Sequence, residues 1–197
     1  MKTILMPFYK IMLTPDEFFE QIRLSTSWKM PLIHWTLLAV WLSLGSVIAW
    51  SFGVNGATPL NSSLGAQMDV FPYWKDTLLP QMGWFSYPVA MGLIILEMLI
   101  ITAIFTPLIY VVFRFLGGSA QPNGMLHAFQ GFVYGLTPAA FGGFLPVAGL
   151  ITGVFATLLQ FQRGPSITLQ NRKLGSYLLV VLFLVYAIYK YWNGGLI

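Results

Sequence analysis

Residues 125–161 read MLHAFQGFVYGLTPAAFGGFLPVAGLITGVFATLLQF, without one Asp, Glu, Lys or Arg. A helix needs about 20 mostly apolar residues to cross the hydrocarbon of a bilayer. This stretch supplies two such segments, Met125–Phe144 and Pro146–Phe161, with Gly142, Gly143 and Pro146 at the turn between them. Gly131, Gly135, Ala139 and Gly143 recur every fourth residue and therefore share one helix face. Gly149, Gly153 and Thr157 repeat the device in the second segment. In lipid, where no hydrophobic effect drives helices together, small faces let backbones approach and gain dispersion contact. The pattern predicts a tight helical hairpin. The same face also suits contact between two copies of the chain.

Working outward, further apolar segments run from Leu32 to Phe52, from Pro88 to Phe113 and from Ser176 to Trp192. Charged residues are 8% of the 197, and hydrophobic residues are 57%. Mean hydropathy is +0.74. So much apolar surface calls for a bilayer as solvent. The expected fold is an all-α, polytopic bundle of five transmembrane helices, spanning 32–192. Residues 1–31 form a tail before it, and 193–197 a short tail after it.

Lysine and arginine set the orientation. Lys2, Lys10, Arg23, Lys29, Arg114, Arg163, Arg172 and Lys173 fall on one side of five spans, against Lys75 and Lys190 on the other. This split puts the N-terminus in the cytoplasm and the C-terminus outside, with the bacterial cytoplasmic membrane as the expected location. The net charge of +4 is spread over membrane-flanking segments, so anionic headgroups rather than nucleic acid are its expected partners. The first span begins well beyond Met1, beside Trp28 and Lys29, so no cleavable leader is expected.

Two loops carry local signals. In LTPDEFFEQIR, Thr14 can cap a helix, Pro15 suits its first position and Glu17 completes a capping box. Phe18, Phe19 and Ile22 give it an apolar side. A short helix lying in the membrane interface is expected, with docking on the bundle as the alternative. Between the first two spans, Phe71, Tyr73, Trp74, Trp84, Phe85 and Tyr87 are too aromatic for a disordered loop. They suit an interfacial cap or a short re-entrant helix. Asp69, Lys75 and Asp76 are its charges.

Glu97 is the acid in the middle of a span, where a carboxylate costs roughly 2.5–3.5 kcal/mol. Tyr134, Thr137, Ser43 and Ser46 lie at comparable depth and complete a candidate intramembrane polar site. It reads either as a proton or cation relay or as a protonated acid bonding neighbouring helices. Pro107 and Pro138 interrupt spans and should bend them, with Thr106 and Thr137 placed to bond a freed carbonyl. His34 and His127 are read as interfacial polar residues and not as a metal site.

Catalytic motifs are missing, including HExxH, GxSxG, a P-loop and a dinucleotide turn. With no cysteine, thiolate chemistry and disulfides are excluded. No enzymatic activity and no cofactor are expected. The expected role is to bind or organise partner proteins or lipids, alone or as a homo-oligomer. The alternative is a small proton or cation transporter or channel using Glu97.

The run FLGGSAQPNGMLHAFQGFVYGLTPAAFGGFLPVAGLITGVFATLLQF resembles the core of the Yip family, the Ypt/Rab-interacting membrane proteins. The shared features are the paired glycines Gly117 and Gly118, then Tyr134 and Pro138, the short turn, and the basic loop around Arg163, Gly164 and Pro165. The N-terminal PDEFF followed by a tryptophan is similar to prokaryotic members, and the likeness covers roughly residues 13–192. It implies five membrane helices with a cytoplasmic N-terminus. Eukaryotic members bind prenylated Rab GTPases, but this chain has neither their long N-terminal region nor their DLYGP-like signature. For prokaryotic relatives the resemblance implies a fold and little defined activity.

Overall fold

The computed structural model describes residues 9–54, 70–118, 122–142 and 146–192. Among the described residues the chain is all-helical, with no strand. The elements are α1 (Pro15–Arg23), α2 (Lys29–Ser51), a helical segment α3 over 70–82, α4 (Ser86–Phe115) and α5 (Gly124–Gly135). They continue as α6 (Pro146–Leu158), α7 (Gly164–Thr168) and α8 (Arg172–Trp192).

Helix α2 buries His34, Leu38, Leu42, Ser46 and Trp50, residues spaced by four along one face. Leu37, Val40, Leu44 and Ile48 cover its opposite side and are exposed. Helix α4 uses the same spacing: Ser86, Ala90, Ile94, Met98, Thr102 and Thr106 turn inward. The two helices meet through Leu38, Leu42 and Met98, and the Trp35 indole donates to the Thr102 hydroxyl at 3.0 Å. Thr102 in turn bonds the Met98 carbonyl at 2.7 Å. Toward the other end, Trp50 stacks at a tilt on Trp74 of α3, and the Trp74 indole donates to Ser86 at 3.1 Å. The aromatic loop is thus a helical cap over α2 and α4.

Helix α5 is the centre, and every residue from 128 to 140 is buried. It stops at Gly135 because Pro138 has no N–H to continue the ladder. A 3-10 turn, Thr137–Phe141, carries the chain on, and the Trp41 indole bonds the Ala140 carbonyl at 2.8 Å. Helix α6 returns antiparallel, then widens into a π-turn at Leu159–Arg163. A Cβ on Gly135 would lie 2.6 Å from the Gln160 nitrogen, and one on Gly131 2.8 Å from the Pro165 nitrogen. Ala139 and Ala156 share a core cluster, and a Cβ on Gly142 would meet that of Ala148 at 2.7 Å. Backbones come close along this whole seam.

Several expectations change at this point. Two stretches, Lys29–Ser51 and Phe71–Phe115, are long and apolar enough to cross a membrane. The α-helical parts of the hairpin are 12 and 13 residues, shorter than a lone span needs. Pro138 ends α5 rather than bending it, whereas α4 runs through Pro107. The Thr106 hydroxyl makes no hydrogen bond among the described residues. The glycines of α5 meet the 159–165 segment rather than Gly149 and Gly153, because α6 runs antiparallel and brings its far end back beside them. Gly149 and Gly153 lie buried on α6, while Gly143, Asp69 and residues 193–197 fall outside the described residues.

The Thr14 side chain forms no cap. Its backbone N–H already bonds the Lys10 carbonyl at 2.8 Å, because a helical turn over 9–13 runs up to it. Phe18 and Phe19 of α1 pack with Ile11, Tyr134 and Leu159, so the apolar side of α1 covers protein. That is the docked alternative.

Candidate functional site

The buried polar groups gather where the proline breaks α5. Pro138 leaves the Tyr134 carbonyl without its helical N–H donor, and the Thr137 hydroxyl bonds that carbonyl at 2.6 Å. His34 Nε2 lies 3.0 Å from the same hydroxyl oxygen, and its ring sits 4.6 Å from that of Tyr134. Phe18 closes the other side of Tyr134, with ring centroids 5.1 Å apart. His34 is 4% exposed and Thr137 0%.

The hydrogen-bond roles follow from counting protons. A threonine hydroxyl has one hydrogen, and Thr137 gives it to the Tyr134 carbonyl. Nε2 of His34 must then donate to the Thr137 oxygen. A histidine that activates a hydroxyl nucleophile has to accept from it instead. The arrangement ties α2 to the broken end of α5 and gives no activated nucleophile.

Of the five residues expected in a polar site, the structure brings Tyr134 and Thr137 together, and Ser46 is buried on α2. Ser43 is fully buried on α2 and bonds the Val40 carbonyl at 3.0 Å. Glu97 is on α4, one residue before Met98, and both of its carboxylate oxygens are buried. His34 was read as interfacial, yet it belongs to the core. The signal was present in the sequence, since His34 leads the series Leu38, Leu42, Ser46 and Trp50 at intervals of four. Gln130 and Gln160 are also buried, and Gln130 donates to the Ser25 carbonyl at 3.4 Å. No group of three His, Cys, Asp or Glu residues could hold a metal among the described residues.

At the basic end of the bundle, Arg163 closes on Asp16 with two parallel bonds, Nε to Oδ1 at 2.6 Å and Nη2 to Oδ2. This ties α1 to the π-turn after α6. The bond from Arg163 holds the Asp16 carboxyl below its ordinary value of 3.8, and the pairing raises Arg163 further. A lowered carboxylate stabilises the fold above its ordinary pKa, and that stability is lost as pH falls through the folded value. The pair is half-exposed, so Asp16→Asn is expected to cost only about 0.5 kcal/mol. Melting curves in detergent should show that difference at pH 7 and lose it toward pH 3. A difference that persists there would mean that Asp16 acts through packing and not charge.

No protein-family model matches the chain, and neither a curated protein nor a solved structure is detectably similar to it.

Proposed function

We propose that this chain is a non-catalytic multi-pass protein of the cytoplasmic membrane, of Yip-like type, which binds or organises partner proteins or lipids. In this reading α2, α4, the two arms of the hairpin and α8 are five membrane segments, with the N-terminus inside and the C-terminus outside. The observation that carries it is the contrast between centre and rim. Residues 128–140 are wholly buried, while Leu37, Val40 and Leu44 on α2 and Val180, Phe183 and Leu184 on α8 face outward. An apolar exterior around a tightly packed, hydrogen-bonded middle is what a bundle in lipid needs. The committed proton of Thr137 supports a structural rather than catalytic role for the polar centre.

Reporter fusions test the topology. A fluorescent protein that matures only in the cytoplasm should light up on the N-terminus and stay dark on the C-terminus. Matching signals at both ends would overturn an odd number of crossings.

The buried carboxylate of Glu97 favours a second reading, a proton or cation transporter. Liposomes loaded with a pH-sensitive dye separate the two. The scaffold reading expects no flux above protein-free vesicles. A flux that Glu97→Gln abolishes would replace it.

A further inference from the structure

The surface where α1, the α6–α7 junction and the start of α8 meet holds a groove of about 510 Å³. Its charged lining is Asp16 and Glu20 from α1, Arg163 from the π-turn and Arg172 from the first turn of α8. Asp16 and Arg163 neutralise each other. Glu20 lies one turn beyond Asp16 on the same face of α1. Neither Glu20 nor Arg172 enters an ion pair among the described residues. One carboxylate and one guanidinium therefore share a concavity without closing on each other.

The frame around them is fixed. Ser166 accepts the Gly175 N–H at 3.0 Å and donates to the Gln162 carbonyl at 2.5 Å. A Cβ at Gly175 would strike that same carbonyl, so the start of α8 is seated directly on the 162–166 segment. This seat fixes the backbone from which Arg172 projects, and the Asp16–Arg163 bonds fix the helix from which Glu20 projects. Two opposite charges carried on fixed helices into one groove suit a ligand that carries both signs.

We propose that this groove binds a phosphoethanolamine group, its phosphate on Arg172 and its primary ammonium on Glu20. The inference rests on the membrane placement proposed above, which puts the groove at the cytoplasmic headgroup level. A guanidinium presents a fork of N–H donors to phosphate oxygens. A primary ammonium can donate hydrogen bonds to a carboxylate, whereas a quaternary choline has no N–H and is held by aromatic cages. No aromatic side chain lines the groove among the described residues. Its four ionised groups sum to zero (two carboxylates, two guanidiniums), so the lining itself does not favour a purely anionic headgroup.

The test uses the detergent-purified full chain and short-chain dihexanoyl lipids with ethanolamine, choline or glycerol headgroups, read by native mass spectrometry. The ethanolamine lipid should bind tightest. Glu20→Gln and Arg172→Gln should each weaken it by about tenfold, the loss of one charge-assisted bond. Glu20→Lys should reverse the preference toward the anionic glycerol lipid. Arg114→Gln, off the groove, should change nothing, and melting of the lipid-free variants controls for folding. Glycerophosphoethanolamine assigns the source: equal affinity points to the soluble compound, and much weaker binding to the membrane lipid. Equal binding of all three lipids, preference of the wild type for the glycerol lipid, or unchanged binding by both glutamine variants would overturn the proposal. A failed lipid assay with the expected reporter pattern removes the groove alone. Matching reporters with selective binding intact would remove the topology alone.

Discussion

Gly135→Leu should destabilise the protein by about 3 kcal/mol or more, near the upper end for an overpacked core. Even the first added carbon meets backbone, since a Cβ at Gly135 falls 2.6 Å from the Gln160 nitrogen and 2.7 Å from its Cα. Backbone cannot rotate out of the way as a side-chain tip can, so α5 and the π-turn would have to separate. Separation would also disturb Gly131, whose own Cβ would fall 2.8 Å from the Pro165 nitrogen. Gly135→Ala should cost less, about 1–2 kcal/mol, because the strain is one methyl. Gly92→Ala provides the contrast. It stands on α4 with nothing within 4 Å of an added Cβ, and should gain up to about 1 kcal/mol from helix propensity. Thermal denaturation of the purified proteins in one detergent would rank the three. Full stability in Gly135→Leu would show that the seam does not hold the hairpin together.

His34→Ala is expected to cost about 3 kcal/mol, comparable to the loss of other large buried side chains. The substitution empties the space against Tyr134 and removes the donor to Thr137. His34→Phe keeps a ring in that space and loses the bond to Thr137, so about 1–2 kcal/mol should be lost. Thr137→Val should fall in the same range, because it also leaves the Tyr134 carbonyl without a donor. The double variant His34→Phe with Thr137→Val tests whether the two residues act as a pair. Its loss should be smaller than the sum of the single losses, since the shared bond can be broken only once. Additive losses would mean that the 3.0 Å contact contributes nothing to stability.

These residues also show how far the sequence could be read. α2 and α4 were legible because long apolar runs, broken in their middle by Glu97 of α4 alone, have few alternatives to a long helix. The break at Pro138 was legible as a place, but not as the end of α5. A proline marks a missing N–H, and whether the chain bends or changes helix type depends on what packs around it. The small face of α5 was legible from its spacing, whereas its partner at 159–165 depended on where the chain turns. The docked α1 could not be separated from an interfacial one, since Phe18 and Phe19 would serve either purpose. His34 was the avoidable miss, because its place in the series with Leu38 and Leu42 was in plain view. The groove was beyond reach. Asp16, Glu20, Arg163 and Arg172 come from distant parts of the chain, and only tertiary closure brings them to one wall.

The broken hairpin has a consequence for biogenesis. An arm of α5 with only 12 helical residues reaches about 18 Å, well short of the hydrocarbon thickness. In the proposed membrane placement, lipid alone would leave the carbonyls at the end of α5 exposed, so a nascent chain would deliver the hairpin into a cradle already built from α2 and α4. Their emergence from the ribosome before the hairpin supplies that order, and a circular permutant that made the hairpin first would have nowhere to seat it.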